Sequence, residues 1–198
     1  GNNTYTNNTR VRGGILRAGS ATAFGTTNSF WLDNTAGALL DLNNFNVNAG
    51  ALIGGGSLGG NIALGTGNLT IRDGLGQTYA GAIAGAGSLI KNGAGTQTLS
   101  GCTSSYTGTT TINGGVLVDN CLQNGGLNSS IGASAAGPAN LTVNGTLRYV
   151  GTGGSTDRQF TLGTSGGTLD ASGTGIIEFT STRPGTLAGA DTARTLPL

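Results

Sequence analysis

Apolar positions along this chain come in short clusters, and no stretch spaces them as a helix would. Residues 85–118 state the pattern: Leu89 and Ile90, then Leu99, then Thr110 and Ile112, then Leu117. Asn92-Gly93, Ser100-Gly101 and Asn113-Gly114-Gly115 separate them, residue types that accept the positive φ of sharp turns. β-branched and aliphatic runs bounded by such turns predict strand, turn, strand, each strand too short to bury a core alone. The same signal recurs at residues 29–32, 39–42, 61–64 and 68–71. Residues 43–48 alternate polar and apolar, predicting a strand with Phe45 and Val47 on one face. Residues 141–149 predict two strands bent at Asn144-Gly145, with Leu141, Val143, Leu147 and Tyr149 inward and Arg148 outward. Ile177 and Phe179 flank an outward Glu178, and residues 193–196 read as the start of one more rung. The stretch from Leu122 to Gly137 is small and polar, and Pro138 ends pairing there.

The pattern also repeats. Residues 5–16 align without gaps on residues 106–117: Tyr5, Thr6, Thr9, Gly13, Gly14 and Leu16 match Tyr106, Thr107, Thr110, Gly114, Gly115 and Leu117. Internal repetition predicts a solenoid. Tyr5 and Tyr106 recur at one repeat position, which points to core or corner packing rather than sugar stacking.

Gly87, Ser88, Leu89, Lys91, Gly93, Gly95 and Thr96, then Leu99, Ser100 and Gly101, then Tyr106, Thr107, Gly108, Thr110 and Ile112, then Gly115 and Leu117, run in one order. This order resembles the autotransporter-associated β-strand repeat of bacterial surface and secreted proteins. Where that repeat has Asn after Leu-Ser-Gly, this chain has Cys102-Thr103-Ser104-Ser105. The resemblance implies an all-β fold, a right-handed parallel β-helix in a passenger domain. It covers nearly all of residues 1–198 as a single solenoid segment of a longer array, with a partial repeat at 5–18 and a complete one at 85–118. At ~20–25 residues per rung and about 4.8 Å between strands, roughly nine rungs make a rod on the order of 40 Å long. Both ends fall inside the pattern, which suggests either a piece of a longer rod or a subunit stacking end to end.

Composition narrows the function. The chain has 40 Gly but only 3 Pro, and its Gly has no period of three, which excludes collagen. A 36% apolar and 9% charged composition argues against a solvated coil. The 9 basic and 8 acidic residues leave net +1 and are scattered singly, so no basic stripe for nucleic acid exists. No apolar run is long enough to span a membrane.

Without His, Ser-His-Asp and Cys-His catalysis and His-based metal sites are absent. Gly54-Gly55-Gly56 lacks the Asp of a calcium-binding β-roll, and no cofactor is expected. Some parallel β-helices act on polysaccharides, so Asp157 with Asp170, or Asp170 with Asp191, is the carboxylate pair to check. Cys102 and Cys121 lie 19 positions apart. On adjacent rungs they would staple neighbours by a disulfide, suiting an oxidising extracellular setting; the alternative is two unpaired thiols. The expected function is a non-catalytic, adhesive rod at the bacterial cell surface, meeting a surface receptor, glycan or matrix component. The alternative is a self-stacking extracellular filament, and a polysaccharide-active enzyme ranks behind both.

Overall fold

Strands of three to five residues account for most of the regular structure, because the Gly-rich corners interrupt every apolar run. The computed structural model describes residues 2–25, 28–164 and 166–182, with the backbone of the strand Thr186–Leu187. Among these residues the only helical element is one 3-10 turn, Pro138–Asn140.

The strands stack in parallel into three long ladders, which form the faces of a β-solenoid. Sheet 1 has eight strands: Thr9–Val11, Phe30–Leu32, Leu52–Gly54, Gln77–Tyr79, Thr96–Leu99, Val116–Asp119, Thr146–Tyr149 and Thr168–Asp170. Sheet 2 has four: Ile15–Arg17, Leu39–Asp41, Asn61–Gly65 and Ile83–Gly85. Sheet 3 has seven: Val47–Ala49, Leu69–Ile71, Leu89–Lys91, Thr110–Ile112, Leu141–Val143, Thr161–Leu162 and Thr186–Leu187. From Phe30 to Lys91 the chain visits sheets 1, 2 and 3 in that order. Gly154–Thr156 pairs with Ile177–Phe179 in a separate small ladder.

Alternation decides what lies inside. Thr9–Val11, Phe30–Leu32, Leu69–Ile71, Leu89–Lys91 and Leu141–Val143 each turn their first and third residues inward. Phe30, Leu40, Leu52, Ile62, Leu64, Leu69, Ile71, Leu89, Ile112 and Leu117 are at most 1% exposed and form one continuous column. Burial of each such side chain stabilises the rod by roughly 1.5–3 kcal/mol. No rung can bury its own face alone, so stability comes from each rung resting on the next.

Three expectations are corrected. Among the described residues sheet 1 shows eight rungs where roughly nine were expected, and residues 120–140 form an insert that consumes chain without adding a strand to sheets 1 and 3. Phe45 does not share a strand with Val47. Asn43 and Asn44 adopt positive φ (49° and 67°), and the Phe45 N–H is donated to the Leu42 carbonyl, so a corner occupies that stretch and the strand begins at Val47. The insert is also more than a polar connection: Leu122 and Ile131 are buried with Ser129, Ser130 and Ser134. The expected rung at 193–196 lies outside the described residues.

Candidate binding surface

Several of the repeat positions lie in the scaffold, whereas Leu16 is exposed. Leu89, Leu99, Ile112 and Leu117 are core side chains, and Thr107 donates its N–H to the Gly85 carbonyl on the rung below. Gly93 turns a corner at φ 39°, and Gly95 packs so tightly on the Asp73 carbonyl of the neighbouring rung that any Cβ would collide with it. Gly14 and Gly115 turn corners with positive φ, and Gly101 packs on the Ala80 carbonyl.

Lys91 shares the inward face of Leu89 and is fully buried. Its stem fills the core column between Ile71 and Ile112, and its ammonium donates to the Asn92 and Gly93 carbonyls at 2.7 and 2.9 Å. The ammonium therefore satisfies corner carbonyls rather than meeting solvent; burial lowers its pKa, against the pull of Asp73.

The two repeat copies share local chemistry but not position. The Tyr106 hydroxyl bonds the Thr110 hydroxyl at 2.7 Å, and Tyr5 does the same with Thr9. Yet the strands of residues 5–16 lie in sheets 1 and 2, whereas those of 106–117 lie in sheets 3 and 1. The copies thus look out from different faces. Tyr106 is completely buried, as core packing requires, while Tyr5 is 41% exposed. The insert accounts for the burial of Tyr106: Ala133 donates to its carbonyl and Gly132 sits against its ring.

Sheet 2 ends at Ile83–Gly85, and on that side the insert takes over. Ser104 bridges to Ser129, and Cys102 and Cys121 are bonded with their Cα atoms 5.4 Å apart. Arg158, 2% exposed, organises the loop by donating to the carbonyls of Gln123, Gly132 and Ser134 and to the Ser134 hydroxyl. Asp119 is buried beside it. One carboxylate oxygen accepts the Cys121 N–H at 2.8 Å and the other has no hydrogen-bond partner among the described residues; burial raises its pKa, opposed by the Cys121 N–H, the Ser130 hydroxyl and the Arg158 charge. Burial likewise lowers the pKa of Arg158.

Arg158 and Asp119 escaped the sequence reading, because no local pattern marks a charge as buried. Gln97 was legible in principle: in Thr-Gln-Thr-Leu it shares the inward face of Leu99.

The outer faces are polar and cross-linked between rungs. Asn113 donates to Asn92 at 2.9 Å and Asn144 donates to Asn113 at 3.4 Å, a side-chain ladder along one corner. Arg10–Asp33, Arg17–Asp41 and Arg148–Asp170 pair across adjacent rungs. Asp170 is held by Ser172 and Arg148, which lower its pKa, while Asp157 accepts the Gly125 N–H in the insert. Asp170 projects from sheet 1 and Asp157 braces the loop, so each is occupied structurally; Asp191 lies outside the described residues. Among the described residues no group of three or more Asp, Glu, Cys or His is arranged to hold a metal, and no helix is long and apolar enough to cross a membrane.

Parallel rungs, Gly corners and a repeated Tyr–Thr strand unit define the class: a β-solenoid. The passenger-associated transport repeat profile matches residues 1–18 and 89–118, and the chain carries this repeat of autotransporter passengers. The chain is similar to the adhesin BmaC autotransporter of Brucella suis biovar 1 (strain 1330): 56% identical over 200 residues, covering 99% of this chain and 6% of that protein. An extracellular or cell-surface setting goes with that likeness. No solved structure matches the chain.

Proposed function

We propose that the chain is a segment of an adhesive surface rod, and that it works without catalysis. The observation that carries the reading is the chain's 56% identity to part of an autotransporter adhesin, joined to a fold of continuous ladders around one apolar column. Such a stack resists bending because every rung is hydrogen-bonded to the next, and it offers long polar faces to a receptor, glycan or matrix component. Displayed on a non-adherent bacterium, the chain is expected to raise attachment to host cells or matrix-coated surfaces. Attachment no higher than with an inert solenoid of equal length would overturn the reading. Incubated with bacterial and host polysaccharides, the chain should leave the concentration of reducing ends unchanged; new reducing ends would mean an enzyme. End-to-end stacking is the alternative and predicts fibres in electron micrographs, which monodisperse particles at high concentration would exclude.

A further inference from the structure

Strand register sets Arg10, Trp31 and Ile53 side by side on the outer face of sheet 1, one from each of three successive rungs. Trp31 is the only tryptophan of the chain and is 40% exposed. Its strand neighbours Phe30 and Leu32 are buried at 0% and 2%, so the backbone beneath the indole is anchored while the ring stays in solvent.

Polar groups frame the ring. Arg10 grips Asp33 through two bonds, Nε to Oδ1 at 2.9 Å and an Nη to Oδ2 at 3.1 Å, leaving its remaining N–H groups for another acceptor. Asn34 is fixed by its Oδ1, which accepts the N–H of Leu58 at 2.8 Å and of Gly59 at 3.3 Å. Asn34 itself is an exposed residue. Gly54 and Gly55 complete the cleft and put no side chain into it.

We propose that Trp31, Arg10, Asp33 and Asn34 form a recognition subsite for one neutral pyranose ring of a glycan. This deepens the adhesive reading and rests on it for its biological setting. A pyranose offers a C–H face and a rim of hydroxyls. The electron-rich face of an indole attracts the first. Planar, pre-oriented donors and acceptors bind adjacent hydroxyls of the second with charge-assisted hydrogen bonds. Arg10 and Asp33 cancel in charge, so the subsite has no net pull on an acidic sugar. A peptide adding as a strand is disfavoured, because Phe30–Leu32 is already paired on both sides and offers no free edge.

The sole tryptophan makes the subsite its own reporter. The whole chain is titrated with neutral gluco-, manno-, galacto- and N-acetylglucosaminyl oligosaccharides while its emission is recorded. A saturable quench or blue shift with at least one of them is expected. Asp33→Ala should weaken that binding by about tenfold or more. By calorimetry, Trp31→Ala should abolish it and Trp31→Tyr should keep part of it. These side chains lie outside the core, so circular dichroism melting should be nearly unchanged in every variant.

Three results would overturn the subsite: no saturable change with any neutral oligosaccharide, binding that survives both alanine variants, or a response to acidic saccharides or peptides alone. Attachment of displaying cells without sugar binding would sink the subsite and leave the adhesive reading standing. Sugar binding without attachment would do the reverse.

Discussion

Gln97 fills a gap in sheet 1, and removing its amide tests how far the rod depends on an unbroken ladder. Residues Gly74, Leu75 and Gly76 all adopt positive φ and swing outward, so Gln77–Tyr79 pairs with Leu52–Gly54 only at Tyr79 and Gly54. Leu52 pairs with Phe30 on one side and is left with no strand partner on the other. The side-chain amide of Gln97, one rung further on, takes the place of the missing peptide. Its Oε1 accepts the Leu52 N–H at 2.9 Å, and its Nε2 donates to the Leu52 carbonyl at 3.0 Å. The same Nε2 lies 3.1 Å from the carbonyls of Gln77 and Thr98.

Gln97→Leu keeps the volume and deletes these bonds. An unpaired buried N–H or C=O costs roughly 1–3 kcal/mol each, and an added leucine side chain returns part of that through burial. We expect a net loss of about 2–4 kcal/mol, the balance of those two terms. Urea unfolding followed by Trp31 emission reads this directly, since Trp31 pairs with Ile53, the neighbour of Leu52. Hydrogen exchange at the Leu52 amide should accelerate in the variant by more than at Leu89. A stability within about 0.5 kcal/mol of the parent, the ordinary range for neutral surface changes, with Leu52 protection unchanged, would refute the idea that the amide substitutes for a strand.

Arg158→Lys keeps the charge but loses the planar fork that reaches Gln123, Gly132 and Ser134; a loss of about 3 kcal/mol, with faster exchange at residues 123–134 than in the sheets, is expected by hydrogen-exchange mass spectrometry. For Cys102 and Cys121, intact mass without reductant should fall two hydrogens short of the dithiol, and reduction should lower stability by about 3 kcal/mol, the entropy of a short closed loop; two free thiols would refute the pairing. Asp119 makes a prediction of unusual sign. Its folded pKa is raised, so the folded state holds this proton more tightly than the unfolded chain does. The penalty is fully present above the folded pKa and disappears as pH falls towards the unfolded carboxylate value. Stability of the parent relative to Asp119→Asn should therefore rise on acidification across that window in urea titrations, and a constant difference would contradict the burial.

Much of the architecture could be read in advance because it is local. Inward placement of Leu141, Val143, Leu147 and Tyr149 follows from a two-residue period, and the corners at Asn113-Gly114-Gly115 from residues that tolerate positive φ. The same period runs through Lys91 and Gln97, but the sequence reading placed neither inward, because a polar residue at such a position reads as an anomaly until its partners are known. Phe45 failed because alternation alone does not distinguish a strand from a corner in which two asparagines take left-handed conformations.

By itself the sequence determined the all-β class and the core column, which are matters of period and turn chemistry, and its resemblance to the passenger repeat implied the parallel solenoid. Tertiary structure alone decided that the two repeat copies face different ways, that residues 120–140 cover Tyr106, and that Arg158 and Asp119 are buried. It also set Arg10, Trp31 and Asp33 together on one face. The physical reason is register: which side chains meet across rungs depends on the number of residues in each turn of the solenoid. One insert or outward loop shifts those partners without changing the local pattern that the sequence displays.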